Sequence, residues 1–295
     1  GSNFEINYLD PNFKIPSEIK LSLGFQHQTD NDWVVGVDFL YSEQNDAAMI
    51  KRGDLIEVGR DEDGYPIFDS PNMDSFVLTN SEESPKSTTY SFGIEKQWDN
   101  FYFRAGYAYT NAKDVQPMTS SVAFSNYSNR AFFDPNEDVI STSNYEIKHR
   151  ASFAARWNKQ IGESMDLSVS LYGHANSGRP YSMVRPEGPF DPTTPYPFLF
   201  PADENILAPG DKRNSETGSS WRKLDMRIAL DFPGFQPDHQ ASAFLVIDNL
   251  TNLLNDDWGV LYQHNFPRTV LEGETESRIG DASRYEIRMG VKYDF

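Results

Sequence analysis

Hydrophobic and polar residues alternate along several long segments of the chain, which is the pattern of a β-strand with one apolar face. The pattern is clearest at 221–232 and at 284–295, where charged residues occupy the positions opposite the apolar ones. These charged residues are Lys223, Asp225, Arg227, Glu286, Arg288 and Lys292. In total the alternation predicts nine strands, at 17–28, 33–44, 87–98, 101–111, 148–157, 166–176, 221–232, 241–251 and 284–295.

The length of the predicted strands narrows the fold class. Most have about 10–12 residues, roughly twice the usual strand of a soluble sheet and close to the 9–11 residues with which a tilted strand crosses a bilayer. No segment approaches the ~18 consecutive apolar residues of a membrane helix. At 241–251 the apolar face is not defined, because Phe244 and Val246 compete with Leu245 and Ile247. Alternation alone is also compatible with a soluble sandwich.

Short and long connections alternate between the predicted strands. The short ones are 29–32, 99–100, 158–165 and 233–240, and the long ones are 45–86, 112–147, 177–220 and 252–283. Connections longer than ~15 residues are uncommon in compact domains. Because every second connection is long, all the long loops lie at one end of the sheet, which is typical of outer-membrane barrels. The sequence therefore predicts an all-β fold, a partial antiparallel transmembrane β-barrel with short periplasmic turns and long extracellular loops.

The number of predicted strands is odd, whereas bacterial single-chain barrels have an even number, since an open sheet edge cannot face lipid. We therefore expect residues 1–295 to be the C-terminal part of a larger barrel whose other strands precede Gly1. The last strand has apolar residues at alternating positions, Tyr285, Ile287, Met289, Val291, Tyr293 and Phe295. This ending resembles the signal that the outer-membrane assembly machinery recognises, because a final unpaired strand can be templated by another sheet edge. The alternative is a soluble protein that ends in an edge strand.

Four short motifs add a family resemblance. They are NYLDPNFKIPS at 7–17, SGRPYS at 177–182, DNLTN at 248–252 and YDF at 293–295. Together they resemble the C-terminal barrel of TonB-dependent outer-membrane receptors, and most of all the Oar-like subgroup, which carries a carboxypeptidase-regulatory-like domain. The resemblance implies a location in the outer membrane of a Gram-negative bacterium, in contact with outer-membrane lipid. It also implies a barrel of about 22 strands around a plug domain that this chain lacks, and energised transport driven through TonB.

The composition limits the chemistry. The formal net charge is −18 and there is no cysteine, which excludes disulfides, thiolate metal sites and cysteine nucleophiles and disfavours a nucleic-acid partner. The sequence has no glycine-rich phosphate loop, no G-x-S-x-G elbow and no H-E-x-x-H motif. We therefore predict no cofactor and no enzymatic activity. Two alternatives stay open: an outer-membrane barrel enzyme, such as a surface protease or lipase, and a soluble glycan-binding β-sandwich.

Candidate ligand-binding residues lie in the long loops. The proline-rich loop 177–220 contains a cationic and aromatic set that is either a ligand platform or packing within the loops. These residues are Arg179, Tyr181, Phe190, Tyr196 and Phe198. Asp61, Glu62 and Asp63 form a candidate calcium site, with a solvated acidic loop as the alternative. The charged residues of 221–232 and 284–295 are predicted to face the lumen, where they form ion pairs or contact the plug.

Overall fold

Nine long strands form one antiparallel sheet, which confirms the predicted all-β, antiparallel class. The computed structural model describes residues 5–60, 64–69, 74–185, 205–207, 210–236 and 238–295. The strands are β1 Ser17–Gln28, β2 Val34–Asn45, β3 Lys86–Gln97, β4 Phe101–Asp114, β5 His149–Ile161, β6 Met165–Asn176, β7 Trp221–Pro233, β8 Gln240–Asp248 and β9 Glu286–Asp294. Each strand pairs with the next in chain order, and each overlaps one of the nine predicted segments.

Short strands and helices occupy the long connections. Asp74–Asn80 pairs with Ala48–Arg52 and also with Glu5–Leu9, a short strand before β1. Pro180–Met183 pairs with Glu216–Thr217 and Thr269–Val270. Further pairs are Ile56–Arg60 with Pro66–Asp69, Tyr262–Gln263 with Ser277–Arg278, and Ser141–Thr142 with the end of β4. The helices are α1 Ala123–Ser128, α2 Leu250–Leu254 and the 3-10 turn Asp281–Ser283. No helix among the described residues is both long and apolar enough to span a bilayer. These elements were not predicted, because such short segments contain too few residues to display a period.

The register of the sheet collects the alternating apolar residues on one continuous face. Val37 lies opposite Phe92, and Phe92 lies opposite Tyr107. Directly opposed residues of neighbouring strands point to the same side of a sheet. The same relation continues through β9, so the sheet has one apolar face and one charged face.

The strands beside β8 show which of its side chains lie on the apolar face and which on the charged face. The alternation of the sequence left this undefined. Leu245 lies opposite Ile228 and therefore shares the apolar face. Phe244 lies on the charged face, where the guanidinium carbon of Arg227 is 5.5 Å from its ring centre. Gly290 of β9 leaves room for this ring, since a Cβ at that position would be 2.6 Å from Phe244 Cζ.

The buried core lies at one end of the sheet rather than against its apolar face. Most buried apolar side chains, such as Met49, Phe76 and Phe132, belong to the long connections. On the apolar face, Met289 is 80% exposed and Val291 is 75% exposed. No described part of the chain therefore covers β9 on this face as a second layer would.

The sheet has two unpaired edges. Within the described residues, β1 pairs only with β2, and β9 pairs only with β8. Every residue of β1 is exposed. An edge strand presents a row of N–H and C=O groups that another strand can pair with. The sheet formed by the described residues is therefore open.

Candidate functional site

The long connections fold together at one end of the sheet, and we call their described parts the loop layer (46–85, 115–148, 177–220 and 249–285). Its core combines residues of different connections. Ile50 and Phe76 pack with Tyr127, and the rings of Phe76 and Tyr127 meet at 5.5 Å. Tyr65 and Phe132 pack with Ile206. The connections are therefore held by one another and not only by the strands that they join.

Side-chain amides act as pairing partners for the backbone within the loop layer. Gln116 accepts a hydrogen bond from the Ile50 N–H at 2.6 Å and donates one to the Ile50 carbonyl at 2.9 Å. Asn136 makes the same two bonds with the backbone of Arg52, both at 2.8 Å. An amide carries both a donor and an acceptor, so it completes a strand edge as a neighbouring strand would. These bonds join the second long connection to the first.

Buried ion pairs fix the loop layer internally and to the sheet. Arg213 Nη2 donates to Asp114 Oδ1, in the last residue of β4, at 2.7 Å, and the two side chains are 3% and 18% exposed. Arg52 Nε donates to Asp54 Oδ1 at 2.7 Å. Removing one partner of a buried pair leaves an uncompensated charge, so such pairs constrain the arrangement of the elements that carry them.

Burial sets the pKa values of three groups in the loop layer. Burial, helped by the Arg213 guanidinium, lowers the pKa of Arg130 to about 10, so that this side chain stays protonated at neutral pH. Burial raises the pKa of the Tyr127 phenol. It also raises the pKa of the Glu137 carboxyl, although the nearby Arg130 acts in the opposite direction. Burial therefore favours the neutral form of both the Tyr127 phenol and the Glu137 carboxyl.

Two of the predicted ligand residues, Arg179 and Tyr181, lie where two long connections meet. Tyr181 is half-buried, and its ring centre is 4.5 Å from that of His264. Burial and the carboxylates of Glu216 and Glu276 raise the pKa of Tyr181. Arg179 is exposed. The other three predicted residues, Phe190, Tyr196 and Phe198, lie outside the described residues.

Arg268 adds a second cation to this area, which we call the Tyr181 surface (Arg179, Tyr181, His264 and Arg268). Arg268 Nη2 donates to the Asn144 carbonyl at 2.9 Å, whereas its Nε has no hydrogen-bond partner in the described part of the chain. Burial, and then the Arg179 guanidinium, lower the pKa of Arg268. Two guanidiniums, a phenol and an imidazole can hold an anionic or hydroxyl-bearing ligand through hydrogen bonds and ring contacts. His264 and Arg268 were not predicted as site residues, because nothing local to 249–285 indicates that this connection meets 177–220.

The described residues form no metal site: no three of their His, Asp or Glu side chains are placed to hold an ion. The calcium candidates Asp61, Glu62 and Asp63 lie outside the described residues. Two histidines lie next to phenols instead. His149 Nδ1 is 2.7 Å from the Tyr107 hydroxyl, and His239 Nδ1 is 2.9 Å from the Tyr293 hydroxyl.

The charged face carries ion pairs between neighbouring residues of β7, β8 and β9. They are Lys223–Asp225 at 3.1 Å, Arg288–Glu286 at 3.7 Å, Lys292–Asp294 at 2.8 Å and Arg288–Asp248. Between β1 and β6 the same face holds a groove of about 840 Å³. Gly36, Gly93 and Gly106 lie opposite one another along it, so that three neighbouring strands contribute no side chain there.

Aromatic residues gather at both ends of the apolar face. At the end with the short turns, the rings of Trp33 and Trp98 meet edge-on at 5.5 Å, and Phe101 lies 5.4 Å from Trp98. Lys96 Nζ lies 5.7 and 5.1 Å from the two indole centres. The aromatic residues toward the loop layer are Tyr41, Tyr90, Tyr107, Tyr109 and Tyr285. The apolar face is thus bounded by rings at both ends.

The DNLTN motif at 248–252 ends β8 and begins α2. Asn249 is fully buried and has a left-handed backbone with φ of 56°. Its N–H donates to Asp225 at 2.7 Å, and its side chain donates to the Gly259 carbonyl at 3.0 Å. The motif therefore fixes the last long connection to β7.

No protein-family model and no curated protein matches this chain in sequence. The resemblance of its four short motifs to TonB-dependent receptors consequently has no support from these comparisons.

Proposed function

We propose that this chain forms part of the wall of a TonB-dependent outer-membrane transport barrel, with its apolar face against lipid and its charged face toward the lumen. The observation that carries the proposal is the exposure of the apolar face of a sheet whose buried core lies elsewhere, in the loop layer. In water, a sheet buries its apolar face against another layer. In a membrane, lipid takes the place of that layer.

The dimensions of the apolar face support this orientation. The eight-residue steps from Trp33 to Tyr41 and from Phe101 to Tyr109 correspond to about 26 Å along a strand, or ~20 Å along the membrane normal at a tilt of ~40°. Outer-membrane barrels have an apolar band about 25 Å tall between two aromatic girdles. The aromatic residues at the two ends of the sheet correspond to these girdles.

The open edges imply further strands. In lipid, each unpaired backbone N–H or C=O costs several kcal/mol, so membrane-spanning sheets close into barrels. In this proposal β1 and β9 therefore pair with strands beyond those described, within one barrel that also holds a plug. The charged face and its groove border that plug, and a pulling force transmitted by TonB displaces it during transport.

The loop layer has the role of ligand recognition. It is fixed by buried ion pairs and by hydrogen bonds from side-chain amides to the backbone, so its surface groups are held in place before a ligand arrives. The Tyr181 surface supplies the hydrogen-bonding and aromatic groups for that task. Substrate selection resides in these residues, and no residue of the wall performs covalent chemistry.

Single cysteines test the membrane orientation, since the chain has none of its own. Met289 lies on the apolar face and is 80% exposed, and Phe235 lies at a short turn and is 97% exposed. We would introduce Met289→Cys and Phe235→Cys separately and treat outer-membrane fragments with a membrane-impermeant maleimide. Lipid contact predicts that Cys at 289 stays unlabelled until the membranes are dissolved in denaturant, whereas Cys at 235 is labelled at once.

Equal labelling of the two positions in intact membranes would contradict the proposal, because the structure gives Met289 no protein cover. Recovery of the chain in the aqueous fraction without detergent would favour the soluble β-sandwich instead.

A further inference from the structure

The apolar face is not uniform, because a groove of about 740 Å³ crosses it between β3 and β7. Its walls are large side chains, among them Phe92, Phe103 and Leu224. The groove reaches the loop end of β7, where Arg222 and Thr251 line it. It lies on the side of the sheet opposite the charged groove described above.

The groove exists because two neighbouring strands, β5 and β6, place small residues next to one another. Ala151 lies opposite Ala175, and Phe153 lies opposite Gly173. Glycine at 173 gives the Phe153 ring its space, since a Cβ there would be 2.3 Å from Phe153 Cε1 if the ring stayed in place. The Phe153 ring therefore lies against the backbone of β6 at Gly173.

A cation lies at the loop end of the groove. Arg222 lies opposite Ala175, so its side chain belongs to the apolar face. It is exposed, and it forms no ion pair and no side-chain hydrogen bond with any residue that the structure describes. The other side chains that face the groove are mainly apolar. An unpaired guanidinium beside an apolar groove matches an amphiphile with an anionic head and a hydrocarbon chain.

We propose that this groove binds one anionic, phosphate-bearing lipid, with an acyl chain over the Ala151, Phe153 and Gly173 floor and a phosphate at Arg222. This inference rests on the proposed function, because it needs the apolar face to lie against lipid. A guanidinium donates charge-assisted, bidentate hydrogen bonds to phosphate oxygens. Arg222 lies at the loop end of β7, at the same end of the apolar face as the row of tyrosines. In a barrel, lipid headgroups lie at this level. At that depth a charged side chain on the lipid face carries little cost.

The test measures lipids that stay bound to the full chain. Protein in vesicles of equal parts phosphatidylglycerol and phosphatidylcholine, with identical acyl chains, is extracted in mild detergent and weighed by native mass spectrometry. Four variants are compared: Arg222→Gln for the headgroup contact, Ala175→Phe to fill the groove, and two controls. Arg227→Gln is the control on the charged face, and Ala243→Phe is the control on the apolar face outside the groove.

The wild type should retain one phosphatidylglycerol in preference to phosphatidylcholine. Arg222→Gln should lower that preference by about tenfold, the effect of one lost charge-assisted contact. Ala175→Phe should abolish retention of both lipids, and the two controls should behave as the wild type does. No preference in the wild type, or an equal loss in Arg227→Gln, would overturn the inference. So would a mass of two protein copies that Ala175→Phe dissociates, since the groove would then seat a second chain.

Flotation of the same vesicles separates this inference from the proposed function. A chain that floats with the vesicles and retains no phosphatidylglycerol overturns the lipid site alone. A chain that remains in the aqueous phase overturns the membrane orientation and the lipid site together.

Discussion

The ring of Phe244 covers Gly290 on the charged face of the sheet, so closely that a Cβ at position 290 would lie 2.6 Å from the ring. The two residues are directly opposed in β8 and β9. The contact places Phe244 on the charged face of β8, which the alternation of the sequence left undefined.

Gly290→Ala should therefore destabilise the sheet where β9 pairs with β8. The added methyl group collides with the Phe244 ring, and overpacking of this kind costs about 1–3 kcal/mol. Urea unfolding of the protein in lipid vesicles measures the loss. Gly36→Ala is the matched control, because the nearest atom to a Cβ there is 3.8 Å away. Equal stability of the two variants would mean that the ring moves aside without cost.

Ile228→Arg should destabilise the protein strongly in a membrane and only weakly in water. Ile228 lies opposite Val169 and Leu245 on the apolar face, and an arginine facing lipid near the bilayer midplane costs about 2–4 kcal/mol. The free energy of unfolding in vesicles measures the effect. Arg227→Ala, on the opposite face, should have a small effect. Similar losses for the two variants would show that the faces are assigned wrongly.

Gln116→Leu should loosen the loop layer and leave the sheet intact. The substitution removes both hydrogen bonds to the Ile50 backbone, and two unsatisfied buried groups cost about 2–6 kcal/mol. Hydrogen exchange should then accelerate at Ile50 and in α1 while the exchange of β4 and β5 stays unchanged. Gln26→Leu, at an exposed position of β1, is the control. Faster exchange throughout the sheet would contradict the separation of the two parts.

Glu137 should make the loop layer more stable in mild acid than at neutral pH. Burial raises its pKa above the ordinary 4.5, so between the unfolded and the folded pKa the native state binds more protons than the unfolded state does. Its contribution to stability is therefore fully present below pH 4.5 and is lost as the pH rises through the folded value. Glu137→Gln keeps an oxygen acceptor for one of the Phe133 and Asp134 N–H groups, which bond to different oxygens of Glu137, and it should remove this dependence. The urea midpoint from pH 4 to pH 7 measures the difference, and parallel curves for the two proteins would contradict it.

The nine strands could be predicted because a strand with one apolar face alternates apolar and polar residues, and this alternation is visible in the sequence alone. β8 shows the limit of that signal. Its odd-numbered and even-numbered positions are both apolar. The assignment of its side chains to the two faces depends on contacts with Gly290 and Arg227, which lie in other strands. The predicted end of β8 was also too late. Asn249 adopts a left-handed conformation and caps α2, so the strand stops at Asp248.

The loop layer could not be predicted by the same means. Its buried residues, such as Tyr65 and Ile206, are far apart in sequence and occur in segments without a period. The hydrogen bonds between Gln116 and Ile50 depend on where two connections meet, and no local sequence pattern indicates that position. Of the Tyr181 surface, only Arg179 and Tyr181 were found, because they share the connection with the conspicuous proline and aromatic content.

The separation of the buried core from the long sheet has a consequence for how the molecule melts. The sheet is held mainly by its backbone ladder, and the loop layer mainly by side-chain packing. The two parts are joined at a few points, among them Arg213–Asp114 and Asn249–Asp225, so we expect the loop layer to unfold before the sheet does. Calorimetry in vesicles should show two heat-absorption peaks, the lower belonging to the loops. Such a protein can lose its recognition surface on warming while its backbone scaffold stays embedded, and can regain the surface on cooling without being assembled again.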